Sequence, residues 1–436
     1  MNDKMIKKIF TLILLVGLGS SCTVYRSIRY WTPDIDEYSA FPQAKIQNGP
    51  EPFHFPTAID SSFAKTKIRR ILKGRDTVLL NVDEYLATEA TTAFVIIKND
   101  TIVFEKYYRG YDRSTISTFF STTKSITSLL VGIAIDEGYI GSVHEPVTDY
   151  IPEFKKGDSR FQKLTIEHLL NMQAGLRFKE SYSNPFSGMA RLFYGRNSLR
   201  QLKKLKFERD PGEAYKYNSA TTAILGIVLE RAIKRPYAEY LQEKVWKPLG
   251  MEYDASISLD DKKHRLAKSY QGLNATAIDL AKIGRLYING GNWNGKQIVS
   301  KEWIEKSSTP DIETGHIGTK YKGYQYQWYS DDWTRRDSTG KYQFKDSISA
   351  LRFAEESAGK YYKVWKLENK DKSGWHWEVV TYLPKFYTFG LMGQVLWVDP
   401  EKKIIMVRLG KGWGDFNVGT LERIFIRRYP VIEKKW

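Results

Sequence analysis

The strongest constraint on this chain is where its two kinds of periodicity fall: strand-like segments stand near both ends of the patterned region, and helical spacing fills the interval. Thr91–Lys98 is apolar and β-branched, Asn99-Asp100 is a turn dipeptide, and Thr101–Tyr107 reads as a second strand, which together predict a hairpin. Towards the other end, Gln394–Val398, the turn Asp399-Pro400 and Ile404–Leu409 predict another antiparallel pair. Between them, Ser121–Glu137 sets Ile126, Leu129, Leu130, Ile133 and Ala134 on one helical face, with Gly138 placed to end the helix. Helical runs recur at Thr165–Met172, Arg200–Phe207, Ala220–Ile233 and Thr276–Tyr287. The pattern predicts an α/β (α+β) fold: an antiparallel sheet flanked by helices, from about residues 81–120 and 375–430, with an all-helical lobe inserted at about 140–310. A chain of 436 residues exceeds what one core usually organises, so one large or two interlocked domains are expected.

The first residues read as an address. Lys4, Lys7 and Lys8 precede an apolar run from Ile9 to Leu18 that is too short to span a bilayer, and Gly19-Ser20-Ser21 leads into Cys22, the only cysteine. Small residues before a cysteine at the end of such a run resemble a bacterial lipobox. Residues 1–21 are therefore read as a lipoprotein signal peptide, with Cys22 lipidated and the protein exported to the periplasmic side of a bacterial membrane. The alternative is a plain secretory peptide with an incidental cysteine. Residues 22–80, interrupted by Pro33, Pro42, Pro50, Pro52 and Pro56, read as an extended tether. One cysteine excludes a disulfide scaffold and a cysteine-based zinc site. The six histidines lack metal-ligand spacing, and there is no G-x-S-x-G, H-E-x-x-H, Walker loop or G-x-G-x-x-G after a strand, so no metal and no cofactor are expected. Net charge +17 alone is weak ground for nucleic acid, and none is expected as a partner.

The motif with chemistry is Ser121-Thr122-Thr123-Lys124. A three-residue offset at a helix start stacks hydroxyl and amine one turn apart, and a desolvated lysine can accept the serine proton. Copies of S-x-x-K also begin at Ser62, Ser338 and Ser357, but only Ser121 opens a strongly periodic apolar helix after a hairpin.

The run Phe119–Ile151 resembles the serine β-lactamase-related family, which takes in class C β-lactamases, DD-peptidases, family-VIII-type esterases and aminohexanoate-oligomer hydrolases. Thr165–Leu176, Pro211–Glu230, Gly272–Asn294 and Gly390–Pro400 agree in order, and Asn274-Ala275-Thr276 and Gly393-Gln394 look like the esterase and oligomer-hydrolase branch. The resemblance implies a β-lactamase/transpeptidase-like fold and acyl-enzyme chemistry on Ser121, with Lys124 and a Tyr-x-Asn/Ser tyrosine relaying protons. Tyr217-Asn218-Ser219 is preferred for that tyrosine over Tyr182-Ser183-Asn184; its phenol is expected to have a lowered pKa. Relatives carry Lys/His-Thr/Ser-Gly on a strand whose next residue gives the second oxyanion N–H. Here Thr388-Phe389-Gly390-Leu391 takes that place, so Ser121 and Leu391 are the expected oxyanion donors. Counting back from Pro400 without a gap would bring Lys385 to the cationic position instead. Ser219, Gly390, Phe389 and Tyr182 are the expected substrate contacts.

Two bulk features remain. Tyr321 to Phe389 holds 18 aromatics in 69 residues, including an apparent insertion at about 330–385 that reads either as a lid over the substrate or as a subdomain with its own core. Residues 155–210 carry 13 Lys/Arg against 5 Asp/Glu, either a solvated face or a contact for anionic lipid or cell wall. The expected activity is hydrolysis of a small-molecule or peptide ester or amide. The alternatives are action on β-lactams or cell-wall peptides, and a catalytically silent ligand-binding lipoprotein.

Overall fold

The computed structural model describes residues 33–71, 77–182, 184, 186–309, 323–333, 343–357, 362–368, 374–414 and 416–428. Two compact units share the chain. One takes residues 33–47, 116–243 and 254–275; the other takes 48–115, 244–253 and the residues from 276 on.

The second unit is built on an antiparallel sheet. Its strands run, in spatial order, Tyr324–Gln325, Trp328–Trp333, Trp375–Gly390, Gln394–Asp399, Ile404–Gly410, Thr91–Lys98 and Thr101–Tyr107. The predicted hairpin and the predicted closing pair are therefore in one sheet: Met406 pairs with Ile96 and Arg408 with Phe94. Thr91–Ile97 reads as an unbroken apolar and threonine run because both sheet faces are covered. On one face Phe94, Ile96, Val395, Trp397, Ile404 and Met406 form a core with Val82, Leu86, Leu421 and Phe425, which lie on the helices Val82–Thr88 and Val418–Arg428. On the other lies the helix Ala277–Ile288, seated so closely that a Cβ at Gly284 would come within 2.9 Å of Ile405 and 3.2 Å of Leu396. This helix packs on the sheet, so the inserted lobe ends near residue 275 and not near 310 as expected from its helical spacing.

The described part of the aromatic insertion supports the subdomain reading. The strand Tyr362–Glu368 extends the sheet beside Trp375–Gly390, and the helix Ser347–Ser357 covers it. Ala350 and Val379 form a small core with Phe344, Phe353, Val364 and Trp377. These aromatics pack on each other, as a subdomain with its own core does.

The first unit is mainly helical but carries a four-stranded antiparallel sheet of its own, ordered Gln43–Ile46, Ala255–Ser258, Leu273–Ala275 and Ser117–Thr118. The helices Thr123–Asp136 and Ser219–Ile233 are buried over most of their length, and a Cβ at Gly226 would fall 2.1 Å from Ser269 Oγ. The tether reading fails for the described residues. Gln43–Ile46 is a sheet strand, Ile35, Phe41 and Ile46 are buried in this unit, and Phe55, Phe63 and Ile68 are buried in the other. Proline spacing excluded long helices from 33–80 but did not exclude short strands and anchored loops. Cys22 and the segment read as a signal lie outside the described residues.

Candidate active site

Ser121 is delivered by a strand and a strained corner. Ser117–Thr118 pairs with Leu273–Ala275, and the fully buried Asn274 accepts a hydrogen bond from Thr118 Oγ1 at 2.8 Å while its amide reaches Gln43 at 3.0 Å. The chain then turns through Phe120, a buried residue held at φ +46°, a backbone region that side chains with a Cβ populate at a cost. Ser121 lies in a short 3-10 turn, Phe120–Thr122, and the α-helix begins only at Thr123. The serine was expected as the first helical residue; it sits just ahead of the helix, half-buried.

The helix is sewn to one backbone segment by three side chains. Thr123 Oγ1 accepts from Leu273 N–H at 3.2 Å, Lys124 donates to the Tyr270 carbonyl at 2.7 Å, and Thr127 donates to the Ser269 carbonyl at 2.7 Å. Lys124 Nζ is 3.0 Å from Ser121 Oγ and 5.1 Å from the centre of the Tyr217 ring. Only 1% of Lys124 is exposed, and this burial pulls its pKa down to about 7, with the Glu180 charge opposing the shift. The neutral amine is therefore within reach near neutral pH. The Tyr270 carbonyl holds one N–H, which leaves the nitrogen lone pair able to face the serine hydroxyl.

Both rival tyrosines reach the serine. The Ser121 hydroxyl acts on the phenols of both Tyr217 and Tyr182, lowering their pKa values against the larger effect of burial. The expected direction of the Tyr217 shift is overturned: burial, with Tyr182 and Glu180 adding, holds its phenol well above the ordinary value. Lys124 is thus the group with a base's pKa, and Tyr217 is a protonated phenol. Tyr182, also raised by burial first, lies 3.5 Å from Gln271 Oε1 and from Glu180 Oε1. Ser219 is not placed as an open substrate contact. It is fully buried, and its N–H and Oγ donate to the two oxygens of Glu180 at 2.9 and 2.6 Å. The neighbouring Asn218 caps the helix Ser219–Ile233.

The third-motif residues belong to the other unit. Gly390 ends its strand opposite Gln394, and Leu391 begins a tight turn to Gly393. Gln394 Nε2 donates to the carbonyls of Leu391 (3.1 Å) and Gly410 (2.7 Å). Arg408, 1% exposed, donates to the carbonyls of Gly393 (2.8 Å) and Gly412 (2.9 Å) and to that of Glu89. Phe389 was expected to touch substrate, but strand alternation turns its ring into a cluster with Tyr387 (4.8 Å) and Trp413 (5.3 Å). Lys385, the alternative cation, is buried and ion-paired with Glu422, with Asp399 at 3.8 Å.

The other literal motif matches are inert or not described. Ser62 is hydrogen-bonded to Asp60, and Tyr287 accepts from Trp328 Nε1 at 2.9 Å. Tyr25, Ser338 and the Lys372-Ser373 pair lie outside the described residues. Among those described, no group of three or more His, Cys, Asp or Glu could hold a metal ion, and no helix is long and apolar enough to cross a membrane.

The beta-lactamase family profile matches residues 81–427. The chain belongs to that family. It is 28% identical over 244 residues to the 6-aminohexanoate-dimer hydrolase of Paenarthrobacter ureafaciens, covering 52% of this chain and 60% of that protein. It is 29% identical over 181 residues, 36% of this chain and 41% of the relative, to a Salmonella agona protein described provisionally as a D-alanyl-D-alanine carboxypeptidase. The chain thus spans between two fifths and three fifths of the length of these curated relatives. Among solved structures, a Bacillus anthracis protein described provisionally as a 6-aminohexanoate-dimer hydrolase superposes with TM-score 0.67 at 21% identity, covering 93% of this chain and 92% of that one, which shows the fold.

For this beta-lactamase-family chain, two site residues escaped the sequence reading. Glu180 stands two residues before Tyr182, so a carboxylate beside the rival tyrosine motif was the available signal. The Tyr270 carbonyl gave none, because any residue type supplies a backbone oxygen.

Proposed function

We propose that this chain is a serine hydrolase that cleaves an ester or amide through an acyl-enzyme on Ser121. The observation that carries the reading is the buried Lys124 amine, 3.0 Å from Ser121 Oγ with its pKa near 7. In the first half-reaction Ser121 Oγ attacks the carbonyl carbon and its proton passes to the neutral Lys124 amine. The Ser121 N–H, at the start of the helical segment, suits a developing oxyanion. Collapse of the tetrahedral species breaks the bond to the leaving group, which takes a proton from the Tyr217 phenol. The Lys124 ammonium, 5.1 Å from the centre of the Tyr217 ring, returns the proton it took to the phenolate. Water then repeats the sequence: it attacks the acyl carbon, the pair accepts its proton, and the acid departs with Ser121 restored.

The names of the relatives support amide-bond cleavage as the chemistry nearest this site. We favour a neutral ester or amide over a carboxylate-bearing β-lactam or peptide, because Glu180 puts a negative charge among Lys124, Tyr182 and Tyr217. We also propose export and lipid anchoring through Cys22, from the lipobox-like run alone. The test of the catalytic reading is labelling by a fluorophosphonate probe. The wild-type chain should react, and Ser121→Ala should neither react nor turn over p-nitrophenyl butyrate above about a thousandth of the wild-type rate. Equal labelling of the variant would remove Ser121 from the mechanism. A wild-type chain that never labels would favour the silent binding lipoprotein.

A further inference from the structure

The basic segment 155–210 folds around a concavity of about 440 Å³ that holds none of the residues assigned to catalysis. Its rim carries Arg191, Arg196, Arg200 and Lys204, all four exposed. Its floor is apolar, made by Phe178, Leu192 and Leu202. The helix Gly188–Tyr194 and the short helix Ser198–Leu202 frame it. Gly188 allows the close fit, since a Cβ there would press on the Phe178 ring at 2.9 Å.

A solvated basic face explains exposed cations; what sets these four apart is the apolar concavity they border. Elsewhere in the segment Arg160 pairs with Asp158 at 2.7 Å and Arg209 with Glu208 at 3.4 Å. Among the described residues none of the four rim cations is in an ion pair. The nearby carboxylates are committed otherwise, Asp260 to the Ser198 N–H at 2.8 Å and Asp261 to His264 and the Asn197 N–H. Arg200 lies on the short helix Ser198–Leu202, and Arg196 and Lys204 flank it on either side. The volume lies within the range of small-molecule sites. Four unneutralised cations around a greasy floor fit one kind of occupant, a chain that is apolar along its length and anionic at one end.

We propose that this concavity binds a single-chain anionic amphiphile, for which a medium-chain carboxylate is the simplest example. The hydrocarbon lies on Phe178, Leu192 and Leu202, and the head group takes charge-assisted hydrogen bonds from the rim arginines. This site stands independently of the hydrolase reading.

The test is calorimetric titration of the full chain with decanoate below its micelle concentration, beside decan-1-ol and acetate. Decanoate should bind, acetate should not, and decan-1-ol should bind at least tenfold more weakly. The exposed double variant Arg196→Gln/Arg200→Gln should lose tenfold or more in decanoate affinity while keeping wild-type ester turnover. Arg191→Gln/Lys204→Gln gives a second pair should the first fold poorly. Undetectable decanoate binding overturns the proposal, as does affinity unchanged in both double variants, which would place the ligand elsewhere. Equal affinity for the alcohol removes the anion recognition. Binding confined to anionic phospholipid vesicles, with none to monomeric decanoate, would make the rim a membrane contact instead.

Discussion

At the scale of single residues the site divides its labour by burial. Lys124 and Tyr217 are both withdrawn from water, and the same desolvation pushes their pKa values in opposite directions, because it penalises the cation of one and the anion of the other. One becomes a base at neutral pH and the other stays a proton donor. If the neutral amine is the competent form, as proposed, kcat/KM for a neutral ester should rise with pH through an apparent midpoint near 7 and then level off. A profile flat from pH 5 to 9 would contradict this. Lys124→Met should cost about 10²–10⁴-fold in kcat. Glu180 sharpens the test. Its charge is the influence that raises the lysine's pKa against burial, so Glu180→Gln should move the midpoint to lower pH, whatever it does to the plateau. A midpoint that stays or climbs would mean the limb belongs to another group. Ser121 and Lys124 were legible because their offset needs only a helix start. The direction of the tyrosine shift was not, since it depends on how deeply Tyr182, Tyr217 and Glu180 are packed together.

Elements were legible where periodicity is local. The hairpin Thr91–Tyr107 and the runs inside Ser121–Glu137 and Ala220–Ile233 all lie where the β-branched run, the turn dipeptide and helical spacing put them. Their allegiance was not legible. Ala277–Ile288 carries the same spacing as the lobe helices, and only its Gly284 contact with Leu396 and Ile405 shows that it serves the sheet. Gly284→Val should therefore destabilise the protein by about 1–3 kcal/mol, because Ile405 Cγ2 is fixed to a branched Cβ and Leu396, which offers its Cδ1, is fully buried. Chemical denaturation reads this directly, and a variant of unchanged midpoint would show that the helix can lift. The short anchored segments before residue 80 were missed for the opposite reason: four-residue strands such as Gln43–Ile46 show too little alternation to stand out from proline-rich sequence. Arg408 makes the same point within the sheet. A charged residue in an apolar strand, it is buried, and its guanidinium satisfies the carbonyls of Glu89, Gly393 and Gly412. Arg408→Met would orphan all three, and a loss of about 3 kcal/mol or more is expected.

At the scale of the whole molecule, a chain of net charge +17 would seem suited to anionic substrates, yet the distribution of that charge argues otherwise. The lysine that could have replaced the family's third-motif cation, Lys385, is neutralised inside its own unit by Glu422 and Asp399. In the other unit the groups around Ser121 include the Glu180 carboxylate, and Arg191, Arg196, Arg200 and Lys204 line a separate concavity. A β-lactam or a D-Ala-D-Ala peptide carries a carboxylate beside the scissile bond. Without a charge-assisted hydrogen bond to receive it, binding forgoes ~1.5–3 kcal/mol, roughly ten- to a hundredfold. A neutral ester forgoes nothing. The quantity that decides is the ratio of kcat/KM for nitrocefin to that for p-nitrophenyl butyrate, measured on one preparation. It should fall well below one, and Lys385→Gln should leave it unchanged, because a lysine already paired with two carboxylates has no charge to lend. A ratio above one would return the chain to the β-lactam and cell-wall-peptide branch. A ratio that drops in Lys385→Gln would show that the buried lysine reaches substrate after all.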